Sequence, residues 1–275
     1  MLPYSCLPFL SQFLGRLYYR FAPRQRNRAL EQIQKHLGLS PAEAEKIIRQ
    51  SFIKLSLTFL ELLYMPNLTK EFIEKQMIFE NKHYLDEAFA CGKGVIFVSA
   101  HMCNWEWFGA AEALWGAKVA HIIKKQPNDQ HTRLLNEYRN MFGIETYASG
   151  TNEIVGAAKA LKKGYAVSFL VDQDAGQHEG IFVEFLGKMA KTHIGPAVFA
   201  KKFKAPIVSG FIVRDPSGKH RATYDPPIYF EDTGDEEKDI YNTTLKINQR
   251  IENAIKTNPD EWMWFKRRWD TPYVE

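Results

Sequence analysis

Six small or apolar residues, Val95-Ile-Phe-Val-Ser-Ala100, run directly into His101 and then into Asn104-Trp-Glu106. The length and β-branched content of the run fit a strand buried on both faces, which is the signature of a parallel sheet covered by helices. Asn104 is an N-cap candidate for a helix that begins near Trp105 and carries Trp107, Ala110, Ala111 and Leu114. Such a sheet binds ligands in the crevice beyond its strand ends, where His101 and Glu106 would both stand. An imidazole at a crevice with a carboxylate in reach is a general-base arrangement, the carboxylate fixing the tautomer and balancing the imidazolium. The plainer reading of the same residues is that His101 ends a strand and Glu106 complements a helix dipole.

From about residue 77 onward, strand and helix patterns alternate. Strands are expected at Val95–Ala100, Lys118–Ile123, Ala166–Val171, Ile207–Val213 and Arg221–Tyr224. Helices are expected at Trp105–Leu114, Asp129–Phe142, Asn152–Lys162, Ile194–Lys204 and Asp235–Lys256. The order predicts an α/β fold with a mainly parallel central sheet flanked by helices. An N-terminal helical section precedes it: Arg26 to Leu37, then a helix opened by Ser40-Pro-Ala-Glu43, a capping box with proline at its first position, and ended by Pro66. The 275 residues divide on this reading into a segment 1–24 and a single domain 25–275, helical over 25–75 and α/β over 76–275. Glu61, one acid on a long apolar helix, reads as a surface residue.

With 45% hydrophobic residues the chain can bury a sizeable core, and a net charge of only +4 gives no reason to expect a nucleic-acid partner. Cys6, Cys91 and Cys103 have no paired spacing, which suggests a reducing compartment. Cys103 beside His101 reads as a small buried hydrophobe rather than a nucleophile. No apolar stretch is long enough to span a bilayer. The first residues nevertheless mix Leu, Phe and Tyr with Arg16, Arg20, Arg24, Arg26 and Arg28, a composition suited to lying at a membrane interface.

Further polar groups fall at the expected carboxyl edge of the sheet. Asp172 and Asp174 follow an apolar strand and are candidates to assist the histidine, bind a polar head group or hold a metal; two aspartates and one histidine lack a stronger ligand spacing. Lys124 and Lys125 end another strand, with Arg133 and Arg139 in the helix beyond, and a cation there could stabilise an oxyanion or bind phosphate. The run Pro259-Asp-Glu-Trp-Met-Trp-Phe-Lys-Arg-Arg-Trp269 suits either an interfacial anchor or packing of tryptophans on the sheet.

His101-Met-Cys-Asn-Trp-Glu106 resembles the H-x4-D/E motif of the glycerolipid and lysophospholipid acyltransferase superfamily, and its Asn-Trp-Glu version is similar to the bacterial lipid A biosynthesis acyltransferases. Three further stretches support the narrower likeness: Lys124-Lys-Gln-Pro-Asn128 with Arg139-Asn-Met-Phe-Gly143; Asp172-Gln-Asp174 through Gly187 with Thr192-His-Ile-Gly-Pro196; and Pro259–Trp269. The resemblance implies a transferase on the cytoplasmic face of an inner membrane. It would move a fatty acyl chain from an acyl carrier protein or coenzyme A thioester to a glycolipid hydroxyl, with no metal and no cofactor beyond that co-substrate. It makes His101 the base and Glu106 its partner, and it leaves Lys124, Arg139, Asp172, Asp174 and Asn104 as substrate-binding candidates. The family's usual block-two residue is arginine, so Lys124 keeps the charge without the bidentate fork. Trp105, Trp107 and Phe108 are candidates to line an acyl slot. Other acceptors within the superfamily, a metal-dependent hydrolase using His101, Asp172 and Asp174, and a lipid-binding protein without activity are the competing readings.

Overall fold

The computed structural model describes residues 3–124, 129–177 and 179–274. Three helices open it: α1 (Leu7–Phe21), α2 (Pro23–Leu37) and α3 (Pro41–Tyr64). The expected capping box forms: the Ser40 hydroxyl meets the Glu43 amide and Glu43 returns a bond to the Ser40 amide. Gly15 lets α1 lie flat on α3, since a Cβ there would stand 2.4 Å from Ile53 Cα. The two helices are antiparallel, Tyr4 meeting Glu61 at one end and Tyr19 meeting Glu45 at the other.

The short α4 (Lys70–Gln76) leads into the α/β part, which alternates β1 (Met77–Glu80), α5 (His83–Ala90), β2 (Val95–Ser99), α6 (Trp105–Leu114), β3 (Val119–Ile123), α7 (Asp129–Asn140), β4 (Glu145–Ala148), α8 (Ile154–Lys162) and β5 (Ala166–Leu170). A hairpin of β6 (Ile181–Phe185) and β7 (Lys188–Thr192) follows. Then come α9 (Gly195–Phe203), β8 (Ile207–Arg214), β9 (His220–Tyr224) and α10 (Glu236–Thr257). The sheet has seven strands in the order β1-β9-β8-β2-β5-β3-β4, every pair parallel except β8 with β9. The hairpin turns through Leu186 and Gly187, both at positive φ (48° and 75°), the backbone that a two-residue turn between twisted strands requires.

Strand alternation splits the core into two layers. Ile96, Val98, Val167 and Phe169 pack with Ala157 and Leu161 of α8 and Phe199 of α9, in a layer that also takes in α2, α3 and α10. Val95, Phe97, Ala166 and Val208 pack with Leu85 of α5 and with Trp107 and Phe108 of α6. β2 is therefore buried along its whole length, and its carboxyl end opens at the edge where β5 and β3 also end.

Candidate active site

β2 and β5 are neighbours in register, so the residues just beyond their carboxyl ends meet. His101 Nδ1 lies 2.7 Å from Asp172 Oδ1, and the His101 amide donates to Asp172 Oδ2 at 3.0 Å. The Trp262 indole donates to the same Oδ2 at 2.8 Å. Three N–H groups thus converge on one buried carboxylate. Burial alone would push the Asp172 carboxyl up, but His101 and these hydrogen bonds outweigh it and hold the group below its usual range. A carboxylate only accepts, so Nδ1 carries the hydrogen and Nε2 keeps a lone pair. The ring is 21% exposed, open enough to reach a substrate hydroxyl. Gln173 brings its amide nitrogen to 3.2 and 3.3 Å from the two ring nitrogens.

The expected pairing of His101 with Glu106 is corrected by this geometry. Glu106 is buried and forms a two-point ion pair with Arg139, Nε to Oε2 at 2.9 Å and Nη2 to Oε1 at 2.5 Å. Its carboxyl sits below the usual range because Arg139 overcomes the cost of burial. Trp105 links the two halves of the motif: its ring stands edge-on to His101 at 5.0 Å, and its indole donates to Glu106 at 3.2 Å. Four-residue spacing fixed only that both groups lie at the strand-to-helix turn; strand order decided which carboxylate reaches the imidazole.

Asn104 caps α6 as expected, accepting from the Trp107 amide at 3.0 Å, and its amide donates to Glu61 at 3.1 Å. Both ends of that side chain are thereby engaged in holding the turn. Asp174 turns away from the histidine and anchors the C-terminal segment, accepting from the amide and hydroxyl of Thr271 and from the Gly176 amide. Lys124 stands exposed at the end of β3, while Lys125, Gln126, Pro127 and Asn128 lie outside the described residues. Cys103 is buried, and burial raises its thiol well above the ordinary range, which fits an inert side chain.

Glu61 is not the surface acid that its helix suggested. It is fully buried, 2.5 Å from Arg214 Nη2 and 3.3 Å from His220 Nε2. Around this acid the turn after His101 is clamped. Thr58 donates to the Cys103 carbonyl at 3.0 Å, and the Cys103 amide donates to the Glu261 carbonyl at 3.0 Å. Cys103 itself is held at φ 49°, an uncommon conformation for a residue with a Cβ. Trp262 and Trp264 are buried packing residues, and Arg268 is buried on the Lys191 carbonyl and the Thr192 hydroxyl rather than on a carboxylate. Gln173 and Trp262 lie in stretches singled out from sequence, but neither is a site candidate there; the pairing of β2 with β5 brings Gln173 to the imidazole, and the segment after α10 brings Trp262 to Asp172.

Two recesses open along the carboxyl edge of the sheet, near the dyad in sequence through Trp105 and Val171. A small one of about 50 Å³ lies on the α6 side, lined by Trp105, Glu106, Phe108, Gly109, His121 and Arg139 among others; Trp107, by contrast, is directed at the Glu61 carbonyl. A larger groove of about 630 Å³ lies beyond β3 and β5, with Lys124, Ile154, Val171, His193 and Ile194 in its lining.

The model of the bacterial lipid A biosynthesis acyltransferases matches residues 1–271. The chain belongs to this family. This acyltransferase is 27% identical to the lipid A biosynthesis palmitoleoyltransferase of Escherichia coli K12, over 98% of its own length and 87% of the relative's. The lauroyltransferase of the same organism is 26% identical over 98% and 87%, and its myristoyltransferase 24% over 94% and 78%. The three names differ in the chain transferred, and identities this close do not favour one of them.

Proposed function

We propose that the acyltransferase moves a fatty acyl chain from an acyl carrier protein or coenzyme A thioester to a hydroxyl of a lipid A-type glycolipid, with His101 as general base. The observation that carries the reading is the His101–Asp172 contact at 2.7 Å, just beyond the carboxyl ends of β2 and β5, with Val171, the residue before Asp172, in the lining of a groove at the same edge. Nε2 takes the proton of the acceptor hydroxyl as its oxygen attacks the thioester carbonyl. The tetrahedral oxyanion then collapses, the C–S bond breaks, and the imidazolium returns its proton to the leaving thiolate. Asp172 stabilises the imidazolium between the two transfers. Gln173, whose amide nitrogen lies 3.3 Å from Nε2, and Lys124, in the lining of the groove, are the donors this reading assigns to the oxyanion or an anionic head group. The thioester is a co-substrate, and the residues in these roles call for no metal or further cofactor.

The test is transfer of a labelled acyl chain to a lipid A precursor by wild type and His101→Ala. General-base removal lowers kcat by about 10²–10⁴-fold; undiminished turnover in the variant would remove His101 from the role.

The reading places the enzyme at the cytoplasmic face of the inner membrane. Among the described residues no helix is long and apolar enough to cross a bilayer, so the support comes from a surface. Phe9, Phe13, Leu17 and Phe21 recur every four residues along α1 and are 80, 63, 41 and 70% exposed. Phe59 and Leu63 add exposed apolar area to the end of α3 beside the start of α1. With Arg16, Arg20 and Arg24 nearby, this face suits an anionic lipid surface. Phe9→Ser with Phe13→Ser is expected to release the protein from anionic vesicles in a flotation assay while its melting temperature holds; retention of the double variant on vesicles would move the membrane contact elsewhere.

A further inference from the structure

The two recesses along the sheet's carboxyl edge differ in what they can hold. The α6-side recess, at about 50 Å³, is well under the roughly 150 Å³ of a cavity that takes one benzene ring, and the Glu106–Arg139 pair closes one wall. The groove, at about 630 Å³, lies within the roughly 300–1,000 Å³ typical of ligand sites. Ile122, Ile154, Phe169, Val171 and Ile194 give it an apolar lining, and Lys124 adds a cation.

Its direction follows from the strand order. Val171, next to Asp172, belongs to one end of the groove; Ser149, Gly150 and Ile154, which follow β4, belong to the other. β5, β3 and β4 are consecutive neighbours, so the groove crosses two strand spacings, roughly 10 Å, away from the dyad. The wall formed by the start of α9 is tight, since a Cβ on Gly195 would stand 3.0 Å from the Phe169 ring. α8 is seated as closely, Gly156 lying against the Tyr147 ring. Ile154, half-buried at the first turn of α8, therefore stands at a fixed distance from His101.

We propose that this groove holds the acyl chain of the donor thioester, and that Ile154 limits the length of chain accepted. The proposal rests on the acyl-transfer reading above. One groove suits one chain, and the reaction moves one chain from donor to acceptor; the acceptor's own chains have the bilayer to occupy.

The test compares kcat/KM across a series of saturated acyl thioesters for wild type, Ile154→Trp and Ile154→Ala, with melting temperatures measured alongside. Ile154→Trp is expected to lower kcat/KM for the best long-chain donor on the order of tenfold and to leave short-chain donors unchanged. Ile154→Ala is expected to move the optimum to longer chains. A profile that keeps its shape in both folded variants overturns the proposal, as does a change in acceptor KM with the donor profile fixed. Binding of a spin-labelled long-chain fatty acid gives a readout independent of turnover: weakening by Ile154→Trp supports the groove, and unchanged binding overturns it. Failure of wild type to acylate any glycolipid, with that binding intact, would sink the functional reading and leave the groove assignment standing.

Discussion

Asp172→Asn is expected to leave the fold in place and lower kcat for acyl transfer by about 10²–10⁴-fold. The Asp172 carboxylate accepts three N–H bonds, one on Oδ1 from His101 Nδ1 and two on Oδ2 from the His101 amide and Trp262. An asparagine must place its NH₂ at one of those positions. Set against the two donors at Oδ2 it would oppose both, so it turns toward Nδ1 instead. There it donates to the ring, moves the hydrogen to Nε2 and removes the lone pair that would take the substrate proton. Single-turnover kinetics with the folded variant check this; a kcat within a few-fold of wild type would mean that Asp172 does not set the tautomer. The companion variant Glu106→Gln reads the other carboxylate. A loss as deep as that of Asp172→Asn would show that Glu106 comes to the histidine during the reaction.

The largest loss of stability is expected from Arg214→Met. The guanidinium meets Glu61 at 2.5 Å, Thr58 at 2.9 Å and Glu261 at 3.3 Å, with side chains almost wholly buried. Replacing one partner of such a network leaves buried carboxylates uncompensated and costs about 3–5 kcal/mol, measured as a fall in the free energy of urea unfolding. The pH dependence has a definite sign. Burial pushes the Glu61 carboxyl up, but Arg214 and His220 pull it far below the ordinary range. Its stabilisation is therefore present at neutral pH and lost as pH falls through that lowered value. Without Arg214 the strongest pull is gone, so acid unfolding of the variant begins at a higher pH than in wild type. A variant whose midpoint and acid limb match wild type would show the network to be energetically neutral.

Much of the architecture is legible along the chain because its local signals agree. The Ser40 box, the buried run of β2 and the Asn104 cap each have a single good solution, and all three form. Among the strands that sequence does not announce, β1 and β4 have four residues each, and Lys188–Thr192 mixes two lysines and a threonine with only two apolar residues, in a hairpin apart from the main sheet. The site is legible only in part for a related reason. Local pattern places His101 at a strand end, yet its carboxylate partner comes from β5, and nothing local says that β5 lies beside β2. Glu61 shows the same limit, since its countercharges come from β8 and β9 and an isolated helix gives no sign of them.

The bond from Trp262 to Asp172 and the hold of Glu261 on the peptide after Met102 have a consequence for how the enzyme comes into being. Both clamps come from a stretch about 160 residues later in the chain than the imidazole they steady. A nascent chain that has emerged past Asp172 but not yet to Trp262 thus has the base and its carboxylate without the indole and carbonyl that hold them in place. The site is complete once this later segment has returned to the sheet edge and closed over what was made first.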